Sequence, residues 1–571
     1  MSDTASLLPI LALHLVLTAL PGVAAALFAA RRGLRETALL LAVGLAASGV
    51  AATLAFWAYY ADPVIGRSLA YLVPLGSVLL IADCLHGGRL DRELLRRLAT
   101  PLALWALGSA FLVFLGFLHG GTEDPLHMAA TRFSIQLPPD NMIPGYFADW
   151  FFQHGHRGTP PVFPGEWLSS DRPPLQTGYL LSQRGYGWDT HGLHSQVLGV
   201  ILQQLWIVGL WALLVAARAG RVTRGLSIVA VLVSDVAIVN GFFVWPKLLP
   251  AAFLLAAAAL VLTPPWANLR RDPRAAALVA ALLGLALLGH GASVFGVAAL
   301  AIVVLFRGGL PSGRWIAVAL LAGAVLLAPW AAYQKYAEPP GNRLTKWMLG
   351  GAAAIDDRGT IEAIGDGYRR AGWGGTLDHK WNNFVTIAGG SPAAKRVKAS
   401  VDDVFDGDVE GSVREIRQLF FFQLLPSLGL LLLAPFAMTY ARARGRPDSP
   451  EWRLSLICWA VVLAGCLVWG LLMFGGPQSN ASIHVGSFLI PVLAICAAVV
   501  GLRAVWPRFA LWYVGISILL TLVLYLPALE PPAGSAFSPL AALLAAACLA
   551  GFVVVAFRRD EPSAEANTLA R

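Results

Sequence analysis

The sequence predicts an all-α integral membrane protein with about fifteen transmembrane helices and two large polar segments. Of its 571 residues, 57% are hydrophobic and only 13% are charged, whereas soluble domains carry about 25% charged residues. Apolar runs of about 20 residues, the length that spans a bilayer, recur along the chain. A lipid-facing surface explains the low charge, because an ionised side chain in hydrocarbon costs several kcal/mol.

The apolar runs are assigned in chain order to spans near 6–30, 35–60, 65–85, 99–118, 195–217, 224–243, 247–264, 274–290, 292–306, 314–333, 419–441, 453–474, 484–502, 508–527 and 537–557. The first run has no basic residue before it, so we interpret it as a span and not as a cleaved signal peptide. The eighth and ninth spans are short, and the charge pattern favours two helices that turn at Gly289-His290-Gly291.

Arginines alternate between the two sides of this topology. The connections on one side together hold 23 basic residues, whereas the short connections on the other side hold only Arg67 and Lys247. By the positive-inside rule the first side is cytoplasmic, which places the amino terminus outside and the carboxy terminus inside. The formal charge of +9 is then a topological signal and predicts no nucleic acid partner. We expect a multi-pass protein of the plasma membrane (the bacterial inner membrane).

Two segments, 119–194 and 334–418, are too polar for the membrane, and both fall on the outer side. The topology divides the chain into three leading spans (1–98), a membrane module carrying the first outer segment (99–333), the second outer segment (334–418) and the C-terminal spans (419–571). Every cytoplasmic connection is shorter than about twenty residues, far below the size of a domain. No GxxxxGK phosphate loop occurs, which disfavours an ATP-driven pump.

The first outer segment holds the densest functional signal. Asp140 follows Leu137-Pro-Pro and precedes a stretch in which apolar residues recur at helical spacing, typical of an amphipathic helix at the membrane surface. Further on comes Asp171-Arg172-Pro-Pro-Leu. The Asp140 carboxylate either takes part in catalysis or caps the helix, and both readings remain open. For Asp149 and Asp171, a loop ion pair or a turn competes with binding of substrate.

This arrangement of an acid, an aromatic-Ala-Asp stretch and a basic residue before Pro-Pro-Leu resembles the first outer loop of GT-C glycosyltransferases. The nearest resemblance is to the dolichyl-phosphate-mannose protein mannosyltransferases and the aminoarabinose transferases that act on lipid A. It implies a GT-C-like fold in which Asp140 is the catalytic base and Arg172 lies near the lipid phosphate. It also implies a polyprenyl-phosphate sugar as donor and a glycan, lipid or protein as acceptor.

The resemblance has three departures. Asn141 stands where the family has a second acid, and Arg172 stands where it has lysine. Arginine keeps the charge and allows a bidentate grip on phosphate. The loop follows the fourth span instead of the first. Three extra leading spans account for this, and because three is odd, they also turn the amino terminus outward.

Other polar residues are secondary candidates for binding substrate or phosphate. Lys247 follows Trp245-Pro246 at the outer end of the sixth span and either contacts the donor phosphate or extends to the lipid headgroups. His484 either contacts phosphate or acceptor or is an interfacial histidine. Arg343 in the second outer segment either binds an anionic group or belongs to a solvated face. No cofactor is predicted, although a divalent metal remains open.

Two other classes of function remain as alternatives. A transporter or flippase of lipid-linked sugars would show matched halves with broken helices at the bilayer midplane, and the sequence shows no internal repeat. A glycan polymerase or ligase would also have large outer loops. If the transferase hypothesis is right, we expect Asp140 and Arg172 to lie within about 10–12 Å of each other in one cavity, which leaves room for a sugar and a phosphate.

Overall fold

The computed structural model describes residues 3–86, 90–134, 137–165, 167–187, 192–307, 309–422, 424–445, 449–475, 488–529, 531 and 535–558. Every regular element in these ranges is a helix, and the extended backbone pairs only at one isolated bridge between Phe163 and Trp167. The all-α prediction is therefore confirmed for the described part of the chain.

Four long helices open the chain: α1 (Asp3–Arg31), α2 (Thr37–Ala61), α3 (Pro63–His86) and α4 (Arg92–Gly116). They are rich in Leu and Ala, and the side chain of Asp91 caps α4 by accepting a hydrogen bond from the Leu94 amide at 2.6 Å. α1 packs closely on α2, and this approach requires glycine at position 22. A Cβ atom there would lie only 2.7 Å from the Gly44 carbonyl oxygen.

The first outer segment folds into short helices and then re-enters the bundle: α5 (Pro125–Thr131), a 3-10 helix (Pro139–Asn141), α6 (Ile143–His154), a 3-10 helix (Ser169–Asp171), α7 (Leu175–Gln183) and α8 (Leu193–Gln203). α6 lies where the sequence predicted an amphipathic helix, and it buries Ile143, Phe147 and Phe151. α7 is held against α2 at Gly178, where a Cβ atom would lie 2.2 Å from the Ala52 carbonyl oxygen. This contact fixes the segment that follows Arg172.

The central helices are α9 (Trp206–Ala216), α10 (Arg221–Leu232), α11 (Asp235–Phe243), α12 (Leu248–Val261), α13 (Trp266–Leu269), α14 (Pro273–Gly289), α15 (Ser293–Phe306) and α16 (Gly313–Ala332). α10 and α11 form a pair bent by 54°. All 14 residues of α12 are buried, so this helix lies inside the bundle. The predicted turn between the eighth and ninth spans is confirmed, because α14 ends at Gly289 and α15 begins at Ser293.

The second outer segment contains α17 (Arg343–Gly350), α18 (Thr360–Ile387), α19 (Gly390–Phe405) and α20 (Val409–Phe422). The chain then continues through a 3-10 segment (Pro426–Leu433), α21 (Ala434–Ala443), α22 (Pro450–Leu472), α23 (Leu489–Val505), α24 (Pro507–Tyr525) and α25 (Pro539–Ala556). α25 packs against α4, so the last helix returns to the fourth.

Nine helices in the described residues are long and apolar enough to cross a membrane when α8 and α9 are counted as one (Leu193–Ala216), and the bent pair of α10 and α11 makes a possible tenth. These nine coincide with nine of the fifteen predicted spans, and the protein is a multi-pass membrane protein. Four other predicted spans fall on the shorter apolar helices α12, α14, α15 and α23. The span predicted over 419–441 is not one α-helix, because the chain breaks at Gly429, where φ is 49°. The total of fifteen spans stays a prediction.

Candidate functional site

Asp140 and Arg172 form an ion pair in the first outer segment. The Arg172 Nη2 atom donates to the Asp140 Oδ1 atom at 2.8 Å, and the Arg172 and Asp140 side chains are 11% and 14% exposed, respectively. The expectation of about 10–12 Å left room for a ligand between them, whereas the structure places them in direct contact. Asp140 does not cap α6, since the residue before that helix is Met142 and no side chain caps it.

Lys247 is the third charged residue of this site. It lies in the break between α11 and α12, and its side chain is fully buried. Its ammonium group lies 4.0 Å from the centre of the Trp245 ring, a favourable cation–π distance. It also interacts electrostatically with both the Arg172 guanidinium and the Asp140 carboxylate. One carboxylate therefore lies near two basic side chains.

Glutamine side chains set the backbone around Lys247. Gln176, which follows the Pro-Pro-Leu sequence, donates to the Val244 carbonyl at 3.0 Å. Val244 adopts a left-handed conformation with φ of 55°, strained for a β-branched residue. Gln203 accepts hydrogen bonds from the amides of Leu248 and Leu249 at 2.9 and 3.1 Å and so caps α12. These contacts connect the Arg172 segment physically to the Lys247 turn.

Trp167 contacts both Arg172 and Arg343, so Arg343 of the second outer segment also lies at the candidate site. The guanidinium carbon of Arg172 lies 3.9 Å from the centre of the Trp167 ring, and that of Arg343 lies 4.2 Å from it. Arg343 also donates to the carbonyls of Gly165 at 3.0 Å and Ala353 at 2.5 Å. Trp167 could not be predicted as part of the site, because a lone tryptophan in a loop has no helical or strand periodicity.

Asp171 braces the two outer segments. Its carboxylate accepts hydrogen bonds from the amides of Leu168 and Arg343, both at 3.0 Å, and it is only 3% exposed. Burial raises the pKa of this carboxyl above its usual value. Asp149 pairs with Arg184 at 2.8 Å, which ties α6 to the end of α7. Both acids thus occupy the turn and ion-pair positions that competed with ligand binding in the sequence interpretation.

Glu338, which precedes Pro339-Pro340, is a buried acid that the sequence interpretation missed. Its Oε2 atom accepts hydrogen bonds from the Ser169 hydroxyl at 2.5 Å and the Ser170 amide at 2.6 Å, immediately before Asp171 and Arg172. The side chain is 4% exposed. Nearby, Gln334 donates to the Ser170 carbonyl at 2.8 Å. Glu338 and Gln334, near the start of the second outer segment, therefore hold the backbone just before Arg172 by hydrogen bonds.

A second group of buried charges lies elsewhere in the bundle. Arg132 donates to five carbonyls at the ends of α4 and α24, those of Leu115, Gly116, Tyr525, Leu526 and Pro527, at 2.9 to 3.3 Å. Arg417 donates to the Pro527 carbonyl at 2.9 Å. Asp235 accepts a hydrogen bond from the Tyr525 hydroxyl. This bond joins α11 to α24.

The histidine prediction falls outside the described residues, because His484 lies in a range that the structure does not describe. Among the described histidines, His194 contacts His14 of α1, with ring nitrogens 2.9 Å apart, and the His14 Nδ1 atom lies 2.8 Å from the Gln183 Oε1 atom. Among the described residues, no three His, Cys, Asp or Glu side chains form a group that could hold a metal ion.

Comparison of the chain with protein-family models, with curated proteins and with solved structures found no match. The class that the fold defines is thus an α-helical multi-pass membrane protein with a charged site in its outer segments. Any narrower assignment depends on the residues of that site.

Proposed function

We propose that the protein is a glycosyltransferase that moves a sugar from a polyprenyl-phosphate donor to an acceptor on the outer face of the plasma membrane. The observation that carries this proposal is the grouping of Asp140, Arg172 and Lys247. One carboxylate beside two cations suits transfer from a phosphate leaving group, and the motif order resembles that of GT-C enzymes.

The three side chains divide the chemistry between them. An acceptor hydroxyl attacks the anomeric carbon of the donor while the bond from that carbon to the phosphate oxygen breaks. Asp140 takes the proton of the acceptor hydroxyl as general base. Arg172 and Lys247 stabilise the negative charge that grows on the departing phosphate. Direct displacement inverts the anomeric configuration, although the residues present also allow a retaining route.

The ion pair offers this mechanism a way to couple donor binding to proton transfer. Arg172 contacts Asp140 at 2.8 Å. The phosphodiester monoanion of the donor offers Arg172 two oxygen atoms, so it can form a bidentate contact as a carboxylate does. Donor binding then frees Asp140 to accept the proton of the acceptor, so the base becomes available only when the donor is in place.

Replacing Asp140 by Asn tests the proposal. We expect Asp140→Asn to lower transfer by at least about 100-fold, the usual contribution of a general base, while donor binding persists through Arg172 and Lys247. A matched control is Glu123→Gln, which removes an exposed acid of the same outer segment. The assay follows which polyprenyl-phosphate sugar of a lipid extract the purified protein consumes. Full activity of Asp140→Asn would overturn the role of Asp140 as base.

A transporter of lipid-linked sugars is the second candidate, and one observation favours it. The break of 54° between α10 and α11 is the kind of interrupted helix that transporters use. In that case the donor would cross the bilayer of a proteoliposome without being consumed, and Asp140→Asn would leave its movement intact. A polymerase or ligase would instead be recognised from the same assay by a product longer than one added sugar.

A further inference from the structure

A basic cavity of about 530 Å³ lies at the arginine-rich ends of the helices, far from Asp140. It is enclosed by the ends of α9, α12 and α15, by α13 and by the start of α22. Four arginines line it, Arg218, Arg270, Arg307 and Arg453, and its described lining contains no acidic residue. α12 runs from Lys247 to the cavity over 14 residues, a distance of roughly 21 Å. The cavity is thus a separate site.

Among the described residues, acids do not neutralise three of the four arginines of the cavity. No ion pair among the described residues includes Arg218, Arg270 or Arg307. Glu451 accepts its hydrogen bond from the Gly220 amide at 3.3 Å, and Asp272 accepts one from the Arg274 amide at 2.9 Å. Both carboxylates therefore accept hydrogen bonds from backbone amides. Arginines that share a cavity without acids repel one another unless an anion binds between them.

The Arg270 side chain adds a second, independent observation. Its Nε atom is buried and has no hydrogen-bond partner among the described residues. A buried donor of a charged group costs free energy when it is left unsatisfied. Arg307, by contrast, is held by the carbonyl of Leu262. An anion in the cavity would satisfy the Arg270 donor.

The remaining walls indicate what kind of anion fits. Leu262, Leu454 and Ile457 form an apolar side of the cavity. Trp266 donates to the Gly309 carbonyl at 3.1 Å and packs edge-on against Trp315, with ring centres 5.5 Å apart. Tryptophans of this kind mark the level of the headgroups. The cavity thus joins a cationic lining to an apolar wall.

We propose that this cavity binds the phosphate headgroup of an anionic phospholipid in the leaflet on the arginine-rich side. Basic pockets between transmembrane helices bind such headgroups. Free phosphate offers the same anionic oxygens, but it does not use the apolar wall. The proposal is independent of the proposed transferase activity, since the site shares no residue with Asp140, Arg172 or Lys247.

The test compares two triple variants of the full-length protein in phosphatidylcholine nanodiscs, with phosphatidylglycerol as probe. The cavity variant is Arg218→Gln, Arg270→Gln and Arg453→Gln. The control variant removes three arginines from the same side outside the cavity lining: Arg271→Gln, Arg274→Gln and Arg314→Gln. Native mass spectrometry measures bound lipid. We expect the cavity variant to bind phosphatidylglycerol at least about tenfold more weakly than wild type, and the control to bind it like wild type.

Three results would overturn the proposal. Equal weakening in both triple variants would mean that diffuse surface charge attracts the lipid. Equal binding of phosphatidylcholine and phosphatidylglycerol by the wild type would mean that the headgroup charge is not recognised. Displacement of the lipid by an equal concentration of inorganic phosphate would identify a soluble anion as the ligand. If the cavity variant fails to fold, the single variants Arg453→Gln and Arg314→Gln are compared instead. Arg453 is exposed on α22, so its replacement leaves the fold intact.

Discussion

Glu338 shows how single buried residues hold the candidate site together. It is almost fully buried, and its Oε2 atom accepts hydrogen bonds from Ser169 and Ser170, close to Arg172 in the chain. Its Oε1 atom has no hydrogen-bond partner within the described part of the chain. The carboxylate therefore joins the second outer segment to the first through one oxygen atom.

We expect Glu338→Gln to destabilise the protein by about 1–3 kcal/mol, because hydrogen bonds to a charged group stabilise a protein more than those between neutral groups. The amide oxygen can replace Oε2 as the acceptor for Ser169 and Ser170, but it carries no net charge. Thermal unfolding of the purified protein in detergent measures the loss, and limited proteolysis of 334–418 measures the loosening of the second segment. Glu362→Gln, an exposed acid in the first turn of α18, is the control. Identical unfolding of both variants would contradict the role of Glu338.

At this scale the sequence predicted part of the site. The order of Asp140 and Arg172 along the chain carried the resemblance, and both belong to the charged site. Their direct contact could not be predicted, because it depends on how two 3-10 helices separated by about thirty residues pack. Trp167 and Glu338 gave no signal, since a single aromatic or acidic residue in a loop has no periodicity to interpret.

At the scale of elements, α18 connects the second outer segment to the membrane helix α22. Lys380 donates to the Met473 carbonyl at 2.6 Å and to the Tyr368 hydroxyl at 2.8 Å. Asn383 donates to the same Met473 carbonyl at 2.8 Å. The end of α22 is thus capped by side chains of α18, which satisfies a carbonyl that no helical amide reaches.

Partial burial lowers the pKa of Lys380 to about 8, and this predicts a dependence of stability on pH. The unfolded chain holds this proton up to about pH 10.4, so between about pH 8 and 10.4 the unfolded state binds more protons. Stability therefore rises with pH in that window. We expect the melting temperature of the wild type, relative to Lys380→Met, to increase from pH 7.5 to 9.5. A constant difference across that range would show that Lys380 titrates normally.

The pattern of apolar residues predicted most of the helices, but not the points at which a helix is interrupted. The existence of α1 to α4, α16, α22, α24 and α25 follows from runs of apolar residues of spanning length. The bend between α10 and α11 follows from Ser234, whose side chain caps α11 by accepting from the Ala237 amide at 3.3 Å. The break at Gly429 follows from a left-handed glycine. Both are local events inside apolar runs, where hydropathy does not change.

At the scale of the molecule, charge is arranged by side. The two polar segments pack together through Glu338, Asp171 and Arg343, and they hold the candidate site. The arginine-lined cavity lies at the opposite ends of the same helices. Composition alone predicted the class of the molecule. The packing of one outer segment on the other could not be predicted, because it depends on contacts between residues more than 150 positions apart.

The assignment of sides is the last prediction, and the proposed function depends on it. Connections on one side hold 23 basic residues and the short connections on the other hold two, a bias that retains the first side in the cytoplasm. We expect a membrane-impermeant maleimide to label Glu123→Cys and Glu362→Cys on intact cells. Arg271→Cys and Arg314→Cys should react only after permeabilisation. The native cysteines in the described residues lie buried or half-buried in helices, so the wild type gives the background. The reverse pattern would place Asp140 in the cytoplasm, where an outer-face transferase could not use it.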